Sequence, residues 1–253
     1  MARVFLPESD VAGASVTVRG DDAHHLTTVL RLGPGDRFEA VTPDCKAHEV
    51  VISSATRREV RGEIVASREV EPEAGLFLTL YQAIPRGRRF PFILQKCTEL
   101  GVARFVPMTT SRTVVEVDEG DAEQRVERWT RITREACRQC GRVSPPQVLA
   151  PLAWKDALEH WRQSGAPGLL FHERLAEACV PGGVSGLREA LSRHSGADAL
   201  AIFIGPEGGF ADDEAEEGVA AGLVATPLGA RILRAETAAI VAAALCLYEA
   251  GDL

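Results

Sequence analysis

Ala199-Leu200-Ala201-Ile202-Phe203-Ile204-Gly205-Pro206-Glu207-Gly208-Gly209-Phe210 is an apolar run that stops at a turn built of glycines and a proline. An unbroken apolar run of this length reads as a strand of a parallel sheet, covered on both faces. The turn behind it strips side chains from the strand's carboxyl end, so that backbone groups meet whatever binds there. Asp212, Asp213 and Glu214 then open the next helix. Acidic groups suit a helix N-terminus, and they repel a phosphate held at one. The stretch therefore points to a nucleoside pocket without a phosphate anchor, and away from Rossmann and P-loop phosphate sites.

Working outward, strand and helix alternate. Residues 76–83 read as a buried strand, 90–100 as a helix ended by Gly101, and 104–108 as a strand. A helix over about 121–140, a strand at 147–150, a helix at 154–163 and a strand at 168–172 follow. After a short helix at 187–193 and the central strand come a helix at 212–221, a strand at 225–228 and a last helix at 235–251. Such alternation implies a parallel sheet with helices on both faces. The amino-terminal part differs. Residues 3–6, 15–19, 37–41, 45–53 and 59–67 are short alternating runs that read as strands. Asp21 or Asp22 is placed to cap one brief helix running through Leu30, and Leu32-Gly33-Pro34-Gly35-Asp36 to turn the chain back into strand. A small closed or nearly closed β-barrel is the expected outcome. With residues 69–75 as linker, the expected domains are 1–72 and 73–253.

The 253 residues are enough for one large or two small domains. No apolar run approaches membrane-spanning length and the amino terminus lacks a signal-peptide pattern, so a cytosolic protein without membrane contact is expected. Among cysteines 45, 97, 137, 140, 179 and 246, only Cys137 and Cys140 form a CxxC, with no second pair and no nearby histidine. They read as neighbours on a packed helix face, and no metal is expected. The formal net charge of −8 tells against an RNA partner until it is divided. Residues 1–72 hold 9 basic and 12 acidic side chains, 73–146 hold 12 and 9, and 147–253 hold 7 and 15. The positive excess lies in the middle, and local patches rather than whole-chain charge govern phosphate binding.

IGPEGGF at 204–210 followed by LGARILRAETAAI at 228–240 resembles the paired carboxyl-terminal motifs of the RsmE family of 16S ribosomal RNA uridine-N3 methyltransferases. QKCTELGV at 95–102 is similar to that family's KxTELGV helix end, and EACRQCGR at 135–142 to its EQxGR segment. Asp22 to Leu26 with Gly33 to Asp36 resembles its small first domain. The matches fall in family order along the chain. The resemblance implies the SPOUT class: an α/β fold whose carboxyl-terminal methyltransferase domain is a trefoil knot, preceded by a PUA-like β-barrel that touches RNA. It implies S-adenosyl-L-methionine as cofactor, 16S rRNA or the small ribosomal subunit as partner, and a homodimer formed near the last helix. From the residues alone, that helix's Ala235, Ala238, Ala239, Ala242 and Ala243 read as core packing. Pattern reasoning alone stops at a doubly wound sheet, because knots are nearly absent among folds.

The expected cofactor site takes Leu170 and His172 from one strand end and Ile204, Gly205, Pro206, Glu207, Gly208 and Gly209 from the central turn. Leu228, Gly229, Ile232, Leu233 and Thr237 complete it. Leu170, Ile204, Leu228, Ile232 and Leu233 would supply apolar walls, and backbone the polar contacts. Arg86, Arg88 and Arg89 follow the first strand of the second domain, at the sheet edge where open α/β proteins bind ligands, and suit RNA phosphates. Their loop departs from the family in carrying Arg89 and Pro91 where a lysine and an acidic residue are expected. Lys96 and Arg142 join the RNA set through the family-like motifs they occupy. Arginines 125, 128, 131, 134, 138 and 142 recur along one helix face, interrupted by Glu127 and Glu135, which fits a solvated face equally well. Methylation at uracil N3 requires loss of a proton, and the anion spreads onto O2 and O4. A guanidinium beside those oxygens stabilises it. Arg234 is the first candidate and Arg231 the second; phosphate contact or a salt bridge to Glu236 is the competing role. The general base is left open. So are two other functions: a SPOUT enzyme with another RNA target or 2′-O chemistry, and a non-catalytic ribosome-assembly binder.

Overall fold

The structure is a computed structural model describing residues 1–71, 73, 75–115, 119–172, 186–192 and 196–253. They divide into two compact units, Met1–Ala74 with Cys137–Ser144, and Gly75–Ala136 with Pro145–Leu253.

The first unit holds β1 (Ala2–Phe5), β2 (Val11–Ala12), β3 (Ser15–Arg19), β4 (Arg37–Thr42), β5 (Lys46–Ala55) and β6 (Glu59–Glu69) in the order β1-β4-β5-β6-β3-β2. Only β1 and β4 run parallel. Alternation puts Val16 and Val18 of β3 inside with Phe38, Val50, Ile52 and Val60. The brief helix α1 (Gly20–His24) continues as a π-helical turn, His25–Val29. Its N-cap is Arg19, and neither Asp21 nor Asp22 caps it. Both aspartates fall instead in the first turn, where their charge suits the helix dipole. Asp22 accepts from Arg138.

Ion pairs bind the segment 137–144 into this unit. Arg3 and Glu39 are register partners on β1 and β4, paired at 2.6 Å, and Arg68 meets the same carboxylate at 2.6 Å. Arg3 also donates to the carbonyls of Gly141 and Arg142, while Arg142 pairs with Glu73 at 2.6 Å. Cys137 packs with Phe5, Val41, Ala47 and Val70, whereas Cys140 is exposed. The CxxC therefore does not share one packed face; Cys179 lies outside the described residues.

In the second unit, β7 (Phe77–Ala83), β8 (Arg104–Thr109), β9 (Gln147–Val148), β10 (Leu152–Ala153), β11 (Gly168–Phe171), β12 (Ala199–Ile204) and β13 (Val224–Thr226) form a sheet ordered β10-β8-β7-β12-β11-β13, with β9 beside β8. All its pairs are parallel. The described helices are α2 (Arg89–Leu100), α3 (Glu119–Cys140), α4 (Trp154–Ser164), α5 (Leu187–Ser192), α6 (Asp212–Ala220) and α7 (Ala235–Ala250). Alternation along β12 feeds two cores. Leu200, Ile202 and Ile204 join α2 and α7, while Ala201 and Phe203 join α4 and α6. Ala239, Ala242 and Ala243 of α7 are fully buried, so these small side chains are used within the chain, where they let α7 approach α2 and the sheet. Among the described residues no helix is long and apolar enough to cross a membrane.

Phe203 is the centre of the second core. It stacks on Tyr81 with centroids 4.2 Å apart, and Trp154 and Trp161 meet it edge-on at 6.0 and 5.9 Å. Phe203→Ala would leave a cavity facing three aromatic rings, and is expected to lower the unfolding free energy by about 3–5 kcal/mol in denaturant titration.

Candidate active site at the carboxyl edge of the sheet

Because β7, β11, β12 and β13 are parallel, the loops behind them open at one edge of the sheet. After Ile204 the chain turns so tightly that a Cβ on Gly205 would stand 3.0 Å from the backbone of Gly209 and Phe210. A side chain there would force the neighbouring backbone to give by a few tenths of an ångström. Gly209, at φ +68°, donates its N–H to Pro206 O at 2.9 Å and closes the turn.

Three side chains hold this turn. Arg112 donates to Gly208 O and Phe210 O at 2.8 and 2.9 Å. Glu214, in the first turn of α6, accepts from Ala211 N at 3.0 Å and from Ser111 N at 2.6 Å. Gln82 is fully buried as the register partner of Ile204. Its amide nitrogen donates to Ala83 O at 2.8 Å and lies 3.5 and 3.4 Å from Ile204 O and Gly205 O, while its Oε1 has no partner.

Glu207 turns toward the β7–α2 loop. Its Oε1 accepts from Arg86 N at 3.0 Å and from the Arg89 guanidinium. Burial pushes this carboxyl up, but its own backbone N–H, that of Arg86 and the Arg89 charge outweigh burial and hold it below the ordinary carboxylate range. Arg89 Nε also stands 3.7 Å from Glu236 Oε1. The two motifs of the carboxyl-terminal region are thus brought together through one arginine. Beside them is a cavity of about 620 Å³ lined by Arg86, Arg88, Arg89, Arg112, Val114, Glu207 and Gly208.

The expected site residues fare unequally. Leu170 is no pocket wall, because strand alternation sends its side chain into the core that holds Phe203. Ile204 is buried in the opposite core. His172 is buried, and its backbone N–H donates to Thr226 O at 3.3 Å. Leu228 is half-buried, Gly229 takes φ +117°, Leu233 is half-buried, and Ile232 is 79% exposed. Arg231, Arg234 and Thr237 are exposed, with Arg234 at the N-cap of α7 and Thr237 in its first turn. Neither Arg231 nor Arg234 has a side-chain partner among the described residues, and Glu236 faces Arg89 rather than Arg234. Lys96 is paired with Glu99 at 2.8 Å. Arg142 belongs to the first unit, its side chain 11% exposed and committed to Glu73. Among the described residues no group of His, Cys, Asp and Glu could hold a metal.

Gln82, Arg112 and Glu214 were not anticipated. Gln82 is a polar residue near the end of an apolar run, and Glu214 stands at the third position of its helix, where a carboxylate reaches back to the N-cap backbone. Arg112 has no local signal, since both its acceptors are distant in sequence.

Comparison with known proteins bears on the same residues. The RNA methyltransferase domain model matches residues 72–247, and the RNA methyltransferase PUA domain model matches residues 18–65. The ribosomal RNA small subunit methyltransferase E of Synechocystis is 32% identical, over 96% of this chain and 76% of that protein. That of Bacillus subtilis is 28% identical, over 92% and 90%. The chain belongs to the ribosomal RNA small subunit methyltransferase E family. A crystal structure of the family's member from Neisseria gonorrhoeae, bound to S-adenosyl methionine, superposes with a TM-score of 0.81 at 32% identity, covering 98% of this chain and 97% of that one.

Within this methyltransferase E chain, the depressed Glu207 carboxyl makes the turn sensitive to acid. The stability it contributes is present above its ordinary value of 4.5 and fades as the pH falls through the lower value of the folded state. Glu207→Gln is expected to unfold at a lower temperature than the parent at neutral pH. The gap should close as the pH is taken below 4.5, as read by thermal unfolding across that range.

Proposed function

We propose that this chain transfers a methyl group from S-adenosyl-L-methionine to N3 of a uridine in 16S rRNA of the small ribosomal subunit. The observation that carries this reading is the convergence of the 205–210 turn and the start of α7 on Arg89. Family membership supports it. The turn suits a nucleoside: it offers backbone and no bulk, and three acidic residues at the start of α6 disfavour phosphate. Gly205 to Gly209 and Leu228 to Leu233 would hold the cofactor, with His172 and Thr237 at the margins. When bound, it supplies an electrophilic methyl group on a sulfonium.

The chain's own contribution is alignment and charge. A displacement needs acceptor and methyl group held in line, and fixed loops provide much of that. Arg234, exposed and unpaired at the N-cap of α7, is the group we place beside the uracil oxygens, with Arg231 next to it. An unpaired guanidinium keeps its donors for a charge that develops only when N3 loses its proton. Arg86 and Arg88 have no side-chain partners among the described residues, and we assign them to RNA phosphates. The second unit would form the SPOUT trefoil knot, and the first a PUA-like barrel that touches RNA, in keeping with the matched PUA model. We further propose a cytoplasmic homodimer. The alanines of α7 are used inside the chain, whereas its Leu245 and Tyr248 are 39% and 68% exposed and available to a second copy.

Nucleoside mass spectrometry of small-subunit RNA treated with the enzyme and S-adenosyl-L-methionine tests the reading, and 3-methyluridine is the expected product. A 2′-O-methylated nucleoside would overturn it. Replacing Arg86 and Arg88 together with alanine should lower RNA affinity and flatten its salt dependence by about two units, one for each lost phosphate contact, while cofactor affinity stays unchanged. Arg234→Ala should depress single-turnover methylation far more than affinity for RNA or cofactor. Higher pH should restore part of the rate by ionising more of the base, and Arg234→Lys should recover only part, because a point charge does not reproduce the planar fork. Loss of RNA affinity in proportion to rate, with no gain at high pH, would make Arg234 a phosphate anchor.

A further inference from the structure

Arg89 stands where three pocket-forming segments meet. It is the first residue of α2, while Glu207 lies in the turn after β12 and Glu236 in the first turn of α7. Its Nη1 donates to Glu207 Oε1, and its Nε faces Glu236 Oε1 at 3.7 Å. The second Glu236 oxygen, Oε2, is buried without a hydrogen-bond partner. A carboxylate in that state is costly unless a cation is close, and Arg89 is that cation. A phosphate approaching the remaining donors of Arg89 would meet the negative charge of both carboxylates. Arg86 and Arg88, on the same loop, face no such competition.

We infer that Arg89 is a positioning residue of the methyl-donor site and not an RNA phosphate contact. By holding Glu207 and Glu236 at once, its guanidinium fixes the 205–210 turn against the start of α7. It thereby sets the backbone that meets the cofactor and the place of Arg234 at the N-cap. The planar fork is what makes this possible, since its Nη1 hydrogen-bonds Glu207 while its Nε faces Glu236 as an ion pair. The inference rests on reading that turn as the S-adenosyl-L-methionine site.

Calorimetry of S-adenosyl-L-methionine binding, together with RNA affinity measured against salt, tests it on the full chain. Arg89→Ala is expected to weaken cofactor binding about tenfold or more, the scale of one lost charge-assisted hydrogen bond. The slope of RNA affinity against salt should stay that of the parent. Arg89→Lys should recover only part of the cofactor affinity. Adding Glu207→Gln to Arg89→Ala should cost little further, because the two groups act as a unit. A salt slope flattened by about one unit with normal cofactor binding would overturn the inference and make Arg89 a phosphate contact. A lowered unfolding temperature with both affinities normal would overturn it in favour of a structural pair. If the parent chain itself bound no S-adenosyl-L-methionine, the pocket assignment would fail instead.

Discussion

A strand covered on both faces has no side chain free to reach a ligand, and β12 is such a strand. Leu200, Ile202 and Ile204 are committed to one core and Ala201 and Phe203 to the other. Whatever this part of the chain binds must be met at the strand's end, by backbone. That constraint accounts for the glycine at 205, where a Cβ would crowd the backbone of Gly209 and Phe210 at 3.0 Å. It also accounts for the ring of supports around the turn, because exposed backbone keeps a shape only when its neighbours hold it. Arg112 holds the outer carbonyls, Glu214 the exit into α6, and Arg89 the entry side through Glu207.

Pairing separates the arginines by role. In the first unit Arg3 and Arg68 face Glu39, Arg138 faces Asp22 and Arg142 faces Glu73, and Arg3, Arg138 and Arg142 bind residues 137–144 into the fold. Burial pushes the Glu39 carboxyl up, but hydrogen bonds from Arg3 and Arg68 and their charges outweigh it and hold it below its ordinary value. In the second unit Arg86, Arg88, Arg231 and Arg234 keep their side-chain donors free among the described residues. A positive excess counted along the sequence mixes these two populations. Among the described residues, this unpaired group keeps every side-chain donor for an incoming anion without first breaking a contact within the protein.

Local pattern was enough for most of the architecture. The alternation of strand and helix from residue 76 onward, the helix end at Gly101, and the central strand at 199–204 are visible because each depends on neighbours a few residues away. The two-residue strands β2 and β10 are not, since so short a run has no period. The first helix was legible as a helix but not in its cap: Arg19 takes that position, while Asp22 lies in the first turn and accepts from Arg138, far along the chain.

For the site, the sequence by itself determined the turn, its lack of bulk and the acidic start of α6, all consequences of residue type at adjacent positions. It could not decide which face of a strand Leu170 would take, that Glu236 would face Arg89 instead of Arg234, or that Gln82 and Arg112 would stand at the turn. Those outcomes depend on strand order and on loops meeting from distant parts of the chain. Hydrogen bonds and ion pairs act over a few ångströms of space whatever the separation in sequence, so only the tertiary structure decides which charged groups are spent on the fold and which remain for a ligand.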